Sequence, residues 1–121
     1  MKNILVIEDN ENMLRMMNDL LSRSGYNVLT AVDGVAGIKA YRREKPDLVI
    51  TDIIMPDKEG LEVIMELTNE KPRPKLIAMS GGGMMDARTY LNLAEKLGAD
   101  ATLEKPFRPA DLLSLVEKFL A

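Results

Sequence analysis

Five short runs of apolar, largely β-branched residues alternate along the chain with segments whose apolar residues recur at helical spacing. This alternation restricts the possible folds more than any other feature of the sequence. The runs are Ile4 to Ile7, Tyr26 to Thr30, Leu48 to Thr51, Leu76 to Met79 and Ala101 to Leu103, each of strand length, the last the weakest. The clearest helical stripes are Met13, Leu14, Met17, Leu20 and Leu21, then Tyr90, Leu93, Ala94 and Leu97, then Leu112, Leu113, Val116, Phe119 and Leu120. Weaker stripes, Val35/Ile38/Tyr41 and Leu61/Ile64/Leu67, fill the two remaining gaps. Strands that are apolar on both faces need helices on both faces, and right-handed crossovers put them there. The expected architecture is α/β, a doubly wound five-stranded parallel sheet.

Local signals agree with this register. Asn10, Asp33 and Asp86 stand where side-chain caps open helices, Pro109 suits a first helical position, and Gly25 and Gly98 stand where helices end. Met13, Met16 and Met17 are expected mostly in the core. At 121 residues the chain has the length of one domain with one sizeable core, and there is no repeat or linker-like stretch.

Composition removes whole classes of chemistry. With no Cys and no His, disulfides, thiolate nucleophiles, thiolate or imidazole metal sites and phosphohistidine within this chain are excluded. A net charge of −3 argues against sequence-independent nucleic-acid binding, which needs a cationic surplus. Ile4 to Ile7 is too short to span a membrane or to form a signal-peptide core, so a cytoplasmic protein without membrane contact is expected. Catalysis, if any, falls to carboxylates, hydroxyls and lysine.

In an open parallel sheet, ligands bind beyond the carboxyl ends of the strands. There the first strand delivers Glu8 and Asp9, the third Asp52, the fourth Ser80, and the fifth runs out into Lys105; the second offers only Ala31 and Val32 before the cap Asp33. Taken singly, Asp9 reads equally as a helix cap, Asp52 as a turn residue, Ser80 as the start of a loop and Lys105 as a solvated lysine. Together they form a coherent set. Three carboxylates at one sheet end repel one another unless a hard divalent cation such as Mg²⁺ sits among them, and a lysine and a serine beside them suit a second anion. The constellation fits a phosphoryl group held next to a metal, with one carboxylate as nucleophile.

The segments ILVIEDN at 4 to 10, DLVITDIIMPDKEG at 47 to 60, LIAMSGG at 76 to 82 and GADATLEKPF at 98 to 107 resemble the receiver domain of two-component response regulators, in order and spacing across essentially the whole chain. The resemblance implies a (βα)5 flavodoxin-like fold with strand order 2-1-3-4-5 and one receiver domain over residues 1–121, with no output domain in this chain. It further implies that Asp52 is the phosphoacceptor for a sensor histidine kinase or histidine phosphotransfer protein. Glu8, Asp9, Asp52 and the backbone carbonyl of Ile54 would bind Mg²⁺, while Ser80 and Lys105 contact the phosphoryl group and Pro106 follows a cis peptide. The output would be a change in affinity for a downstream protein or tethered output domain on the face of the fourth helix, fifth strand and fifth helix, a face that also serves as a possible homodimer surface. The resemblance implies autocatalysed phosphorylation and dephosphorylation without turnover of a separate small substrate.

Three features depart from the family pattern. Thr102 stands where an aromatic switch residue is usual, and the acidic pair is Glu-Asp, so that the longer Glu8 should reach a metal through water or from a shifted position. Gly81, Gly82 and Gly83 follow Ser80 in an interval to Lys105 that is a few residues longer than usual. The glycines read as a hinge, because a nucleotide loop would need Gly-x-x-x-x-Gly-Lys-Ser/Thr; Met84 and Met85 read either as an adaptable partner surface or as filling beneath the loop. Two other functions stay open at this point. A phosphorylation-independent pseudo-receiver is permitted by Thr102, and a Mg²⁺-dependent aspartyl-phosphate phosphatase would need an Asp-x-Asp motif and a cap segment, whereas Ile54 occupies the second Asp position.

Overall fold

A computed structural model describes residues 2–53, 60–81 and 87–120. Ile54, Gly82, Gly83, Met84, Met85 and Asp86 lie outside the described residues. The chain order is β1 (Asn3–Ile7), α1 (Glu11–Arg23), β2 (Asn27–Ala31), α2 (Gly34–Glu44), β3 (Leu48–Asp52), α3 (Gly60–Thr68), β4 (Lys75–Ser80), α4 (Ala87–Leu97), β5 (Ala101–Glu104) and α5 (Pro109–Leu120). The strands form one sheet in the order β2-β1-β3-β4-β5, and every pairing is parallel. This is the doubly wound order anticipated above.

Strand residues alternate between two cores. Leu5, Ile7, Val49, Leu76 and Ala78 pack with Ile38 and Tyr41 of α2, Val63, Ile64 and Leu67 of α3, and Leu91 and Ala94 of α4. Ile4, Val6, Leu48, Ile50, Ile77 and Met79 pack with Leu14, Met17 and Leu21 of α1 and Leu112 and Val116 of α5. Burying each large aliphatic side chain contributes roughly 1.5–3 kcal/mol against leaving it in water, so the two layers hold the strand ends in fixed register.

The helix boundaries have identifiable causes. Asn10 accepts a hydrogen bond from the Met13 amide at 3.0 Å, and Asp33 accepts one from the Ala36 amide at 2.8 Å. Gly25 and Gly98 follow α1 and α4 with φ of 96° and 122°, a region that costs a side chain but not glycine. α2 ends instead on Lys45 with φ of 48°. Its amide donates to the Tyr41 carbonyl, its ammonium lies 5.3 Å from the Tyr41 ring centroid, and it pairs with Glu70 at 3.6 Å.

Three apolar positions differ from expectation. Val35 is exposed because α2 packs through Gly34, Gly37, Ile38 and Tyr41, and Val35 lies roughly a third of a turn off that face. Among the described side chains of α4, Leu91 and Ala94 are buried and Leu93 faces outward, while the Tyr90 side chain lies outside the described residues; Leu91 and Leu93 offered two alternative stripes through Ala94 and Leu97. Met16 is exposed, whereas Met17 is fully buried, since neighbours on a helix point about 100° apart.

Candidate functional site

The parallel register brings the polar strand ends together. Thr51 is aligned between Ile7 of β1 and Ala78 of β4, and Asp52 with Met79, so Glu8 and Asp52 leave their strands level with each other and Ser80 follows one residue further along β4. The Glu8 amide extends the β1–β2 ladder to the Ala31 carbonyl at 3.0 Å, and the Ile53 amide extends β3–β4 to the Met79 carbonyl at 3.0 Å. Beyond β5 the Lys105 amide donates to the Ser80 carbonyl at 2.9 Å. The Lys105–Pro106 peptide is cis, as the motif implied.

Glu8 and Ser80 are fully buried and Asp52 is nearly so, while Asp9 is exposed. Lys105 Nζ lies 2.5 Å from Glu8 Oε1 and 3.3 Å from Asp52 Oδ2. The other Glu8 oxygen accepts the Asn10 amide at 3.1 Å. Glu8 therefore engages Lys105 directly, a contact absent from the sequence reading. One carboxylate oxygen each from Glu8, Asp9 and Asp52 lie within 4.8 Å of one another. Ser80 Oγ is buried without a hydrogen-bond partner among the described residues, and an unpaired buried hydroxyl costs about 1–3 kcal/mol.

The charges perturb one another in a consistent sense. Partial burial pushes the Asp9 carboxyl above its ordinary value, and a hydrogen bond and repulsion from Glu8 add to the rise. Burial of Lys105 opposes its charge, but the hydrogen bond to Glu8 and the charges of Asp52 and Glu8 outweigh it and raise the ammonium above its ordinary value. Lys105 thus stays protonated at neutral pH. Among the described residues three carboxylates face one ammonium, and all their donors are hard oxygens, the ligand type that Mg²⁺ takes. The observed donor set fits such a cation.

Two glycines shape the surroundings. A Cβ on Gly60 would overlap the Asp52 carbonyl and the Ile53 Cα, so only glycine lets α3 begin against the end of β3. This explains the last residue of the DKEG segment. A Cβ on Gly81 would lie 2.6 Å from Lys105 Cβ, a crowding that sequence spacing alone did not show. Thr102, at the position of the usual aromatic, donates its hydroxyl to Glu95 of α4 at 3.4 Å.

Sequence comparisons agree with this geometry. Residues 4–117 match the profile of the response regulator receiver domain. The chain is 34% identical over 119 residues to the alkaline phosphatase synthesis transcriptional regulatory protein PhoP of Bacillus subtilis, covering 98% of this chain and 48% of that protein. It is 31% identical over 118 residues to chemotaxis protein CheY of Thermotoga maritima, covering 97% of this chain and 96% of that one. The chain thus spans about half the length of PhoP but nearly all of CheY. A crystal structure of a response regulator receiver domain protein from Clostridium thermocellum superposes with a TM-score of 0.91 at 30% identity, covering 99% of this chain and 94% of that one. With its 2-1-3-4-5 sheet and its acidic strand ends, the chain belongs to the response regulator receiver domain family of two-component signalling systems.

Proposed function

We propose that residues 1–121 form a single receiver module whose Asp52 accepts a phosphoryl group from the phosphohistidine of a sensor histidine kinase or histidine phosphotransfer protein. The observation that carries this reading is the meeting of Asp52 with Lys105 beside the buried hydroxyl of Ser80, which has no partner among the described residues. In the step, an Asp52 carboxylate oxygen forms a bond to phosphorus as the phosphorus–nitrogen bond of the donor breaks, and the imidazole leaves with the electron pair. Lys105 and the Ser80 hydroxyl then donate to the phosphoryl oxygens. Hydrolysis later returns the Asp52 carboxylate and inorganic phosphate.

Glu8, Asp9, Asp52 and the carbonyl of Ile54 would hold Mg²⁺, with Glu8 reaching it while still hydrogen-bonded to the Asn10 amide. When bound, the ion offsets charge on the phosphoryl group in transfer. Drawing Ser80 and Lys105 toward the new anion would loosen the Lys105 pairs with Glu8 and Asp52. The change would pass through the β4–β5 ends to α4, which Thr102 links to β5 through Glu95, altering affinity for a downstream protein, a tethered output domain or a second copy. No described helix is long and apolar enough to cross a membrane.

Incubation with Mg²⁺ and acetyl phosphate, followed by intact-mass measurement, tests this reading. Wild type should gain the mass of one phosphoryl group only with Mg²⁺, and Asp52→Asn should gain none. No gain in wild type would favour a phosphorylation-independent binding module, whereas steady release of phosphate from small phosphate esters would favour the phosphatase.

A further inference from the structure

Lys105 has to cross the gap between β5 and the carboxylates on a flexible four-carbon stem, and a free lysine side chain carries about 2 kcal/mol of rotamer entropy. Two contacts hold its head, Glu8 Oε1 at 2.5 Å and Asp52 Oδ2 at 3.3 Å. The stem is held differently. Ser80 pairs with Glu104 in the β4–β5 ladder, and the Lys105 amide donates to the Ser80 carbonyl, which sets Gly81 beside Lys105. A Cβ at Gly81 would lie 2.6 Å from Lys105 Cβ, 3.3 Å from Cγ and 3.1 Å from Cδ. Three successive stem carbons therefore run along the surface that the missing side chain leaves free.

Two of these contacts involve the base of the stem, so rotation at the far end cannot relieve the first of them. A methyl group at position 81 must shift the ends of β4 and β5 apart, because no side-chain rotation moves Lys105 Cβ, and that shift carries the stem and its ammonium away from Asp52. We propose that Gly81 is a positioning residue for the phosphoryl-transfer site, its lack of a side chain forming the track along which Lys105 reaches Glu8 and Asp52. This rests on the receiver reading, and it goes beyond that reading by assigning a role to the first glycine of the triplet, which the sequence presents only as part of a hinge.

A double-mutant cycle on the full chain separates positioning from general distortion. Gly81→Ala should slow Mg²⁺-dependent labelling by acetyl phosphate about tenfold or more, since small misplacements of a charge-stabilising group have effects of this order. In a Lys105→Ala background the two Cβ atoms still crowd each other, but no ammonium remains to be misplaced, so Gly81→Ala should slow labelling no further. An equal fold-loss in both backgrounds would overturn the proposal, as would no loss in the single variant. Labelling that persists in Asp52→Asn would instead overturn the receiver reading beneath it.

A second measurement stands even if Gly81→Ala fails to fold. In the Glu8→Gln, Asp52→Asn double variant, which removes both charge partners of the head but leaves the track, NMR relaxation should show the Lys105 methylenes still ordered. Methylenes as mobile as those of exposed Lys118 would show that the head alone holds the side chain, contradicting the role of Gly81.

Discussion

The two ends of the sheet use similar residues to opposite effect. At the end away from the carboxylates, Arg73 donates to the Pro74 carbonyl at 3.0 Å, to Asp100 Oδ2 at 3.1 Å and to the Gly98 carbonyl. The same Asp100 oxygen accepts the Leu76 amide at 2.8 Å. Nearby, the Tyr41 hydroxyl donates to the Pro72 carbonyl at 2.8 Å, and Asp47 accepts the Asn3 amide at 2.8 Å. Each of these charges meets its complement inside the chain. At the carboxyl ends of the strands, among the described residues, three carboxylates lie together with one ammonium paired to two of them, and a buried hydroxyl has no partner. The first end locks the β4 start to the α4–β5 turn; the second holds like charges close together.

Point substitutions at the two ends test this contrast. The largest stability change is expected from Arg73→Ala, which leaves Asp100 without its charged partner and the Gly98 carbonyl without a donor. A loss of about 2 kcal/mol follows from charge-assisted hydrogen bonds of this kind, read as a lower urea midpoint at unchanged slope. Labelling at Asp52 should persist under native conditions. If Arg73→Ala abolishes labelling without unfolding the protein, the two ends are not independent.

Tyr41→Phe probes the same end more gently, at about 1 kcal/mol for the lost hydrogen bond. Burial and the charge of Glu70 raise the Tyr41 phenol above its ordinary value near 10.0. The folded state therefore holds this proton more tightly than the unfolded chain, so the contribution is complete below the unfolded value and lost as pH rises through the folded one. The gap between wild type and Tyr41→Phe should narrow above about pH 10, as followed by urea midpoints across alkaline pH. A gap constant to higher pH would place the hydroxyl outside the network.

Ser80→Ala should have the smallest effect and the opposite sign. Removing a buried hydroxyl without a partner should leave stability unchanged or raise it by up to about 1 kcal/mol. A clear loss of stability would mean that Ser80 Oγ is satisfied in solution, and the contrast between the ends would weaken.

Much of this was legible in the sequence because period and strand-end rules act locally. The five apolar runs fixed the strands to within a residue or two, and their carboxyl ends pointed to Glu8, Asp9, Asp52, Ser80 and Lys105. Long-range pairings were not legible. Glu8 and Lys105 are 97 residues apart, and nothing local marks the lysine as the partner of that carboxylate rather than of a ligand alone. Arg73 and Asp100 look like ordinary surface charges until the α3–β4 connection and the α4–β5 turn meet. Gly60 and Gly81 stood inside recognisable motifs, but their cause is the approach of a second segment, which only three-dimensional packing reveals. Leu93 and Leu91 exchanged roles because a short helix with several apolar residues offers more than one stripe.

The carboxylate oxygens of Glu8, Asp9 and Asp52 lie close enough together to fit a hard cation. Thermal unfolding with and without Mg²⁺, in wild type and Asp9→Asn, tests it most directly. The Asp9 carboxyl is raised by burial and by Glu8, so its stabilising contribution is complete only below the ordinary value of 3.8 and is lost as pH rises through the folded one. Without metal at neutral pH, Asp9→Asn should therefore unfold at a slightly higher temperature than wild type. At ten times the dissociation constant, Mg²⁺ should stabilise wild type by about 1.4 kcal/mol, a rise of roughly 5 °C, and should raise Asp9→Asn much less. Equal rises in both proteins, or none in wild type, would show that these carboxylates do not hold the cation.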